Sequence, residues 1–357
     1  MGMFTRLFGG KAGAAERSAQ RARAVNLVAP SPGEPSFAEA VPNRVVVAFH
    51  AHDNLEGFSG NFLTAVTRGF TSVGQRELVL SLRLGDSEQP IPKMQEILRF
   101  FATVQAWAEA GSIVDQGGLT QFGERALFSV RHGGLIYVEA RAISGIDLPA
   151  RALSAVFVQA PEIGAARDYG TYRVLTRIGA QLRLFPFPTW GALDRPSTIT
   201  ARESESLLSK VLRMHVPSAS FLVADQCLRL TIPRDAKSLA RGVSSLPTNS
   251  AFVLLTRPAA SANAILTWKP GQREMTGISP DGSDGSDGSD GSRLSGCCAM
   301  FVPSSRADEA RPFEDGYSVL LSEERWTEWL AALIEQRPLS FELAGEMRFE
   351  LEWDSST

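Results

Sequence analysis

Apolar residues recur along this chain with two periods, and each period predicts a different element. Arg44-Val45-Val46-Val47-Ala48-Phe49 is a compact β-branched run and predicts a strand where order begins. Residues 76–84 place Leu78, Leu80, Leu82 and Leu84 on one face, the alternation of a half-buried strand. Pro92 then opens a helix, since proline suits a first turn whose N–H groups have no helical acceptor. Ile97, Phe100, Phe101, Val104 and Trp107 form its apolar face, and Gly111 ends it. Strands are predicted around 126–131, 134–141 and 152–158, the first two joined by the turn Arg131-His132-Gly133-Gly134. Residues 164–178 predict a helix that closes at Gly179 in the left-handed conformation. Leu182 to Phe185 then extends, until Pro186 and Pro188 withhold the donors a strand requires.

The second half continues with a helix from Thr200, where Thr200 and Glu203 fit a capping box and Leu207, Leu208, Val211 and Leu212 make the apolar stripe. Strands at 219–224 and 226–232, a helix near 235–245 and strands near 250–256 and 263–268 follow. Beyond them come strands at 296–302 and 316–321, a helix over 323–335 and strands at 339–343 and 346–353. Glu323 and Glu324 suit the positive end of that helix, and Trp326, Trp329, Leu330 and Leu333 give it a buried face. Strands outnumber helices and mostly arrive as hairpins. The expected fold class is therefore α+β, with largely antiparallel sheets and packed helices.

Composition divides the chain. Residues 281–292 are four copies of Asp-Gly-Ser, a unit with nothing to bury, which predicts a long low-complexity loop. Pro30, Pro32, Pro35 and Pro42 mark residues 25–42 as a linker. Residues 1–24 carry Arg6, Lys11, Arg17, Arg21 and Arg23 against Glu16, about +4 in a chain whose net charge is −3. The expected organisation is a disordered basic tail and Pro-rich linker over 1–42 and an α+β body over 43–268. A flexible Asp-Gly-Ser loop over 269–295 and a C-terminal α+β segment over 296–353 packed on the body complete it. No run of about 18 apolar residues exists to cross a membrane as a helix. The near-neutral charge gives no argument for nucleic acid. With three Cys and four His, the chain has no disulfide framework, and a cytoplasmic, reducing compartment is expected.

Candidate chemistry is thin. His50-Ala51-His52-Asp53 sets two imidazoles on one strand face, one ligand short of a catalytic zinc site. His132-Gly133-Gly134 has the look of an oxyanion-hole loop, but no Gly-x-Ser-x-Gly elbow accompanies it. Cys297-Cys298 opens an apolar run and reads as two small buried residues. No Gly-x-Gly-x-x-Gly and no P-loop is present. The expectation is no catalytic residue, no cofactor and no metal. The loop Phe187-Pro188-Thr189-Trp190-Gly191 offers two aromatics beside proline; the first reading is a lid packed onto the core, and the second makes Phe187 and Trp190 a partner contact.

Several motifs in order carry a resemblance. They are Val73-Gly74-Gln75-Arg76-Glu77, Ile91-Pro92, His132-Gly133-Gly134, Leu148-Pro149, Arg177-Ile178-Gly179 through Phe185-Pro186-Phe187-Pro188, and Leu230-Thr231-Ile232-Pro233-Arg234. Together, over roughly residues 65–345, they resemble the C-terminal domain of unknown function of the SARA and endofin FYVE-finger scaffold proteins. A more distant likeness is to the suppressor-of-fused domain. The chain has too few Cys for a FYVE finger, so phosphoinositide binding is not implied. The Arg-rich balance of 31 Arg to five Lys points to a bacterial member. The resemblance implies a non-catalytic protein-interaction, scaffold or regulatory domain with a protein partner. Gly74, Gln75, His132, Gly133, Gly134, Arg177, Gly179, Pro186 and Pro188 are then structural. An immunity-type antagonist of a toxin or effector, and an enzyme using His50, His52 or His132, stand as the alternatives.

Overall fold

A computed structural model describes residues 27–123, 127–128, 133–200, 205–273, 275–282, 284–285, 293–304 and 308–354. The expected basic tail over 1–24, most of the strand at 126–131, His132, the capping partner Glu203 and most of the Asp-Gly-Ser tract lie outside them. The chain folds into two compact units. The N-unit runs through Ile163 and takes back Pro188–Ser197; the C-unit takes Gly164–Phe187 and the described residues from Thr198 onward. Both are α+β, with mixed sheets that are mostly antiparallel.

The N-unit contains β1 (Ser36–Val41), β2 (Val45–Leu55), β3 (Phe58–Arg68), β4 (Leu78–Leu84), helix α1 (Pro90–Glu109), β5 (Leu119–Gln121), β6 (Gly134–Glu139), β7 (Leu153–Val158) and β8 (Trp190–Ala192). The sheet order is β1-β2-β3-β4-β7-β6-β5, and β8 pairs with β4. Only the pairings of β4 with β7 and β8 are parallel. Helix α1 lies across β1, β2 and β3 and buries Met94, Ile97, Phe101 and Val104 against them, the face its spacing predicts.

Two expectations change here. The stretch 25–42 is not a structureless linker, because Ser36–Val41 is a strand paired with β2. Its prolines, Pro35 and Pro42, stand outside the strand, and Ala38 and Ala40 turn inward to the core under α1. Strand β4 is not half-buried: Leu78 to Leu82 are all buried, including Val79 and Ser81. β4 pairs with β3, β7 and β8 and is buried on both faces, so alternation understates its burial.

Helix α2 (Ala160–Tyr169) carries the chain into the C-unit. There follow α3 (Thr171–Leu182), β9 (Leu212–Ala224), β10 (Cys227–Pro233), α4 (Lys237–Ser244), β11 (Phe252–Pro258), β12 (Ala264–Thr267), β13 (Thr276–Ile278) and β14 (Asp284–Gly285). The last elements are β15 (Arg293–Gly296), β16 (Cys298–Pro303), β17 (Glu309–Phe313), β18 (Gly316–Leu321), α5 (Glu323–Glu335), β19 (Leu339–Leu343) and β20 (Met347–Asp354). The order is β14-β13-β12-β15-β9-β11-β16-β18-β17, and β10 joins β9 to β20, which pairs with β19. Strand β11 is buried on both faces. Phe252 and Leu254 point to the core shared by α4 and α5, while Val253 and Leu255 join Leu208 and Cys298 in a second cluster.

The Asp-Gly-Ser tract therefore does not divide the fold. β15, after the tract, pairs with β9 and β12 from before it, and β20 pairs with β10. The expected helix from Thr200 over Leu212 is replaced among the described residues by a short 3-10 turn, Leu207–Lys210, and then by β9. Of its expected stripe, Leu208 is buried while Leu207 and Leu212 are exposed. Pairing of the thirteen-residue β9 with β10, β11 and β15 outweighs a local helical spacing. The expected helix over 164–178 is two helices, α2 and α3, separated at Gly170.

Candidate functional site

The motif residues of the N-unit each hold or approach backbone. Gly74 takes φ 76° to close the turn after β3, an angle glycine reaches without strain. Gln75, buried, donates from Nε2 to Val114 O (3.1 Å), and its Oε1 accepts from Val114 N–H (2.8 Å). One amide side chain thus satisfies both backbone groups of Val114, as a strand neighbour would. Glu77 accepts from Gly69 N–H (2.8 Å), Thr71 N–H (3.2 Å) and the Thr67 hydroxyl (2.8 Å). Gly133 is buried and its carbonyl accepts from Phe122 N–H (2.8 Å). A Cβ on Gly134 would sit 2.1 Å from Thr120 O, so only glycine fits that β5–β6 approach.

In the C-unit, Arg177 donates to Thr198 O (2.9 Å) and Trp268 O (3.2 Å). Gly179 does not end a helix in the left-handed conformation; it lies inside α3, and Arg183 (φ 53°) is the left-handed cap. The glycine is needed for another reason: a Cβ there would lie 2.3 Å from Pro186 O and 2.6 Å from Leu184 O, where the chain folds back over the helix. No strand forms over 182–185 before Pro186 and Pro188. Gly179→Ala is expected to cost about 2 kcal/mol or more, because backbone has to move to admit the methyl. Chemical denaturation of the two proteins measures it, and an unchanged midpoint refutes the steric account.

The Phe187–Gly191 loop does not present its aromatics. Trp190 is 1% exposed in β8 and packs with Phe58 (ring centroids 5.3 Å) and Phe62 (5.2 Å). Thr189 fastens it, donating both its N–H and its hydroxyl to Glu56 (3.0 Å each). Phe187 is buried and lies 5.9 Å from the Tyr172 ring. Of the two readings for this loop, the packed one is the structure's.

His50 and His52 do share a face of β2, with ring centroids 6.3 Å apart and planes at 15°. Burial lowers both below the ordinary histidine range, and each is half-buried. Among the described residues no group of three or more His, Cys, Asp and Glu is placed to hold a metal ion. A groove of about 480 Å³ is lined by Thr231, Arg234, Pro338, Glu352, Trp353 and Asp354. Two of its lining residues are tied to the segment before β19: Trp353 Nε1 donates to Arg337 O (2.9 Å), and Arg234 Nη1 donates to Gln336 O (3.4 Å) while its own carbonyl accepts from Gln336 Nε2 (3.0 Å).

Two features remained hidden at the level of sequence. The first is the outer face of β1. The register sets Phe37 opposite Ala48 and Glu39 opposite Val46, so Phe37 and Val46 are diagonal neighbours on the face turned away from α1. Phe37 is 66% exposed and Val46 38%. Among the described residues β1 pairs only with β2, so it forms an edge of the sheet. The alternation Phe37-Ala38-Glu39-Ala40 between Pro35 and Pro42 was the available signal.

The second is a buried charge cluster in the C-unit. Arg173, on α3, donates from Nε to Asp315 Oδ2 (3.0 Å) and pairs with Glu314 through the same guanidinium. Glu314 also accepts from Ser206 Oγ (2.9 Å) and Leu207 N–H (2.7 Å). The guanidinium lies over the Trp268 ring, 4.8 Å from its centroid. The Arg173, Glu314 and Asp315 side chains are at most 1% exposed, so the cluster is closed to solvent and to any substrate.

Comparison with known proteins finds similarity over about a third of the chain. Human zinc finger FYVE domain-containing protein 9 is 32% identical over 132 residues, which is 36% of this chain and 9% of that protein. Mouse zinc finger FYVE domain-containing protein 16 is 28% identical over 125 residues, 34% of this chain and 8% of that protein. The chain spans less than a tenth of the length of either relative. Among solved structures, Drosophila Suppressor of Fused aligns over 86% of this chain and 88% of its own, at 10% identity and a TM-score of 0.32. No protein-family model matches. No described helix is long and apolar enough to cross a membrane.

Proposed function

We propose that the chain is a non-catalytic protein-interaction domain of the scaffold or regulatory kind, and that the Phe37 face of β1 meets its protein partner. The observation that carries this reading is the two-thirds exposure of Phe37 beside Val46 on an edge strand. A phenylalanine left in water forgoes about 2 kcal/mol of burial. Aromatic side chains of this kind anchor interfaces when a partner covers them. The outer edge of β1 also offers backbone donors and acceptors to an incoming extended segment. The partial similarity to two FYVE-finger proteins is in keeping with this class.

The test compares tagged full-length chain with Phe37→Asp after cross-linking in cells. The wild type is expected to recover a defined protein and the variant to recover at least tenfold less of it. The variant's melting temperature is expected to stay within about 2 °C, since a surface change away from the core costs at most about 0.5 kcal/mol. Equal recovery by both proteins removes Phe37 as the contact. Recovery of no defined protein by either one overturns the interaction reading itself.

A further inference from the structure

The cluster around Arg173 has one cation and two carboxyls. If both acids were ionised it would carry a net charge of −1 with no water to solvate it, a state that buried sites avoid by holding a proton. The two carboxyls are not equally supplied with donors. Glu314 accepts from the Ser206 hydroxyl, the Leu207 N–H and Arg173. Asp315 accepts one aligned hydrogen bond, Arg173 Nε to Oδ2. Its Oδ1 lies 2.8 Å from the guanidinium but receives no aligned N–H, and it is shielded from solvent. The other titratable groups facing Asp315 are the Cys297 and Cys298 thiols, which burial keeps neutral.

We propose that the Asp315 carboxyl holds a proton at neutral pH, and that this proton makes the fastening of α3 to the β17–β18 turn sensitive to pH. Burial raises the Asp315 carboxyl above the usual range, against the pull of Arg173. The sign follows from linkage. An aspartate in the unfolded chain ionises near pH 4, and in the folded chain it ionises later. Its contribution to stability is whole below about pH 4 and is lost as the pH rises toward the folded value. The two thiols act in the same direction, but only above about pH 8, where an unfolded cysteine begins to ionise. The interval from pH 5 to 7 therefore reports Asp315 without them.

The experiment is urea unfolding of the full chain and of Asp315→Asn across that interval. Asparagine keeps the neutral, planar shape and cannot ionise. The ratio of the variant's folding constant to the wild type's is expected to rise with pH, by about tenfold per unit while the folded aspartate stays protonated. A ratio that is flat from pH 5 to 7 shows an ionised Asp315 and overturns the proposal. A second measurement does not depend on the variant's folding. Infrared spectra of wild-type chain at pH 7, with and without isotopically labelled aspartate, are expected to show a protonated-carboxyl band that shifts with the label. Absence of that band also overturns the proposal.

Discussion

Arg173→Met is expected to destabilise the C-unit by about 3–5 kcal/mol, the cost of stripping a buried ion cluster of its only cation. For a unit of this size that is a fall of roughly 10 °C in melting temperature. The side chain contributes in three ways. It neutralises Glu314, donates to Asp315 and covers the Trp268 face. Methionine retains some of the cover over Trp268 and none of the charge. Glu314 is then left buried with a hydroxyl and one N–H, too little to hold an anion out of water. The double variant Arg173→Met with Glu314→Gln is expected to be more stable than Arg173→Met alone, because it removes the stranded charge. A double variant no more stable than the single one shows that lost packing, not lost charge balance, dominates. Urea midpoints of the wild type, the single variant and the double variant decide between them.

What was legible before the structure follows from the reach of each interaction. Helix α5 appears over the predicted residues because its determinants are local. Glu323 and Glu324 sit in its first turn, and Trp326, Trp329 and Leu333 return at helical spacing to one buried face. The α+β class was legible for the same reason, as a sum of local patterns. The Asp-Gly-Ser tract was legible only as a stretch with nothing to bury, because composition says nothing about which strands pair across it; β9 and β15 do. The helix expected after Thr200 failed where a non-local pairing, β9 with β10, β11 and β15, took over residues whose local spacing was helical. Trp190 was legible as an aromatic in a proline loop, but its burial depends on Phe58 and Phe62, far back in the chain. The Arg173 cluster was out of reach altogether, since its two acids lie 141 and 142 positions away.

Trp329→Ala is expected to cost about 3–5 kcal/mol, the range for deleting a large core aromatic. Trp329 is fully buried and sits between two other rings, stacked on Phe301 at 4.4 Å and edge-on to Phe349 at 5.3 Å. Those rings extend the contact to Phe252 (5.5 Å from Phe301) and Phe341 (5.1 Å from Phe349). The cavity therefore opens where strands β11, β16, β19 and β20 share one core, and those strands come from both sides of the Asp-Gly-Ser tract. Hydrogen exchange is expected to lose protection in Phe252–Pro258 and Met347–Asp354 together. Loss confined to the residues after the tract would show that they fold as a separate piece. Trp329→Phe separates packing from polarity. The indole Nε1 is buried and donates to no described acceptor, an unpaired donor whose penalty is about 1–3 kcal/mol. Phenylalanine removes that donor while keeping a ring between Phe301 and Phe349. It is expected to cost well under half of what alanine costs, because relief of the unpaired N–H offsets the smaller cavity.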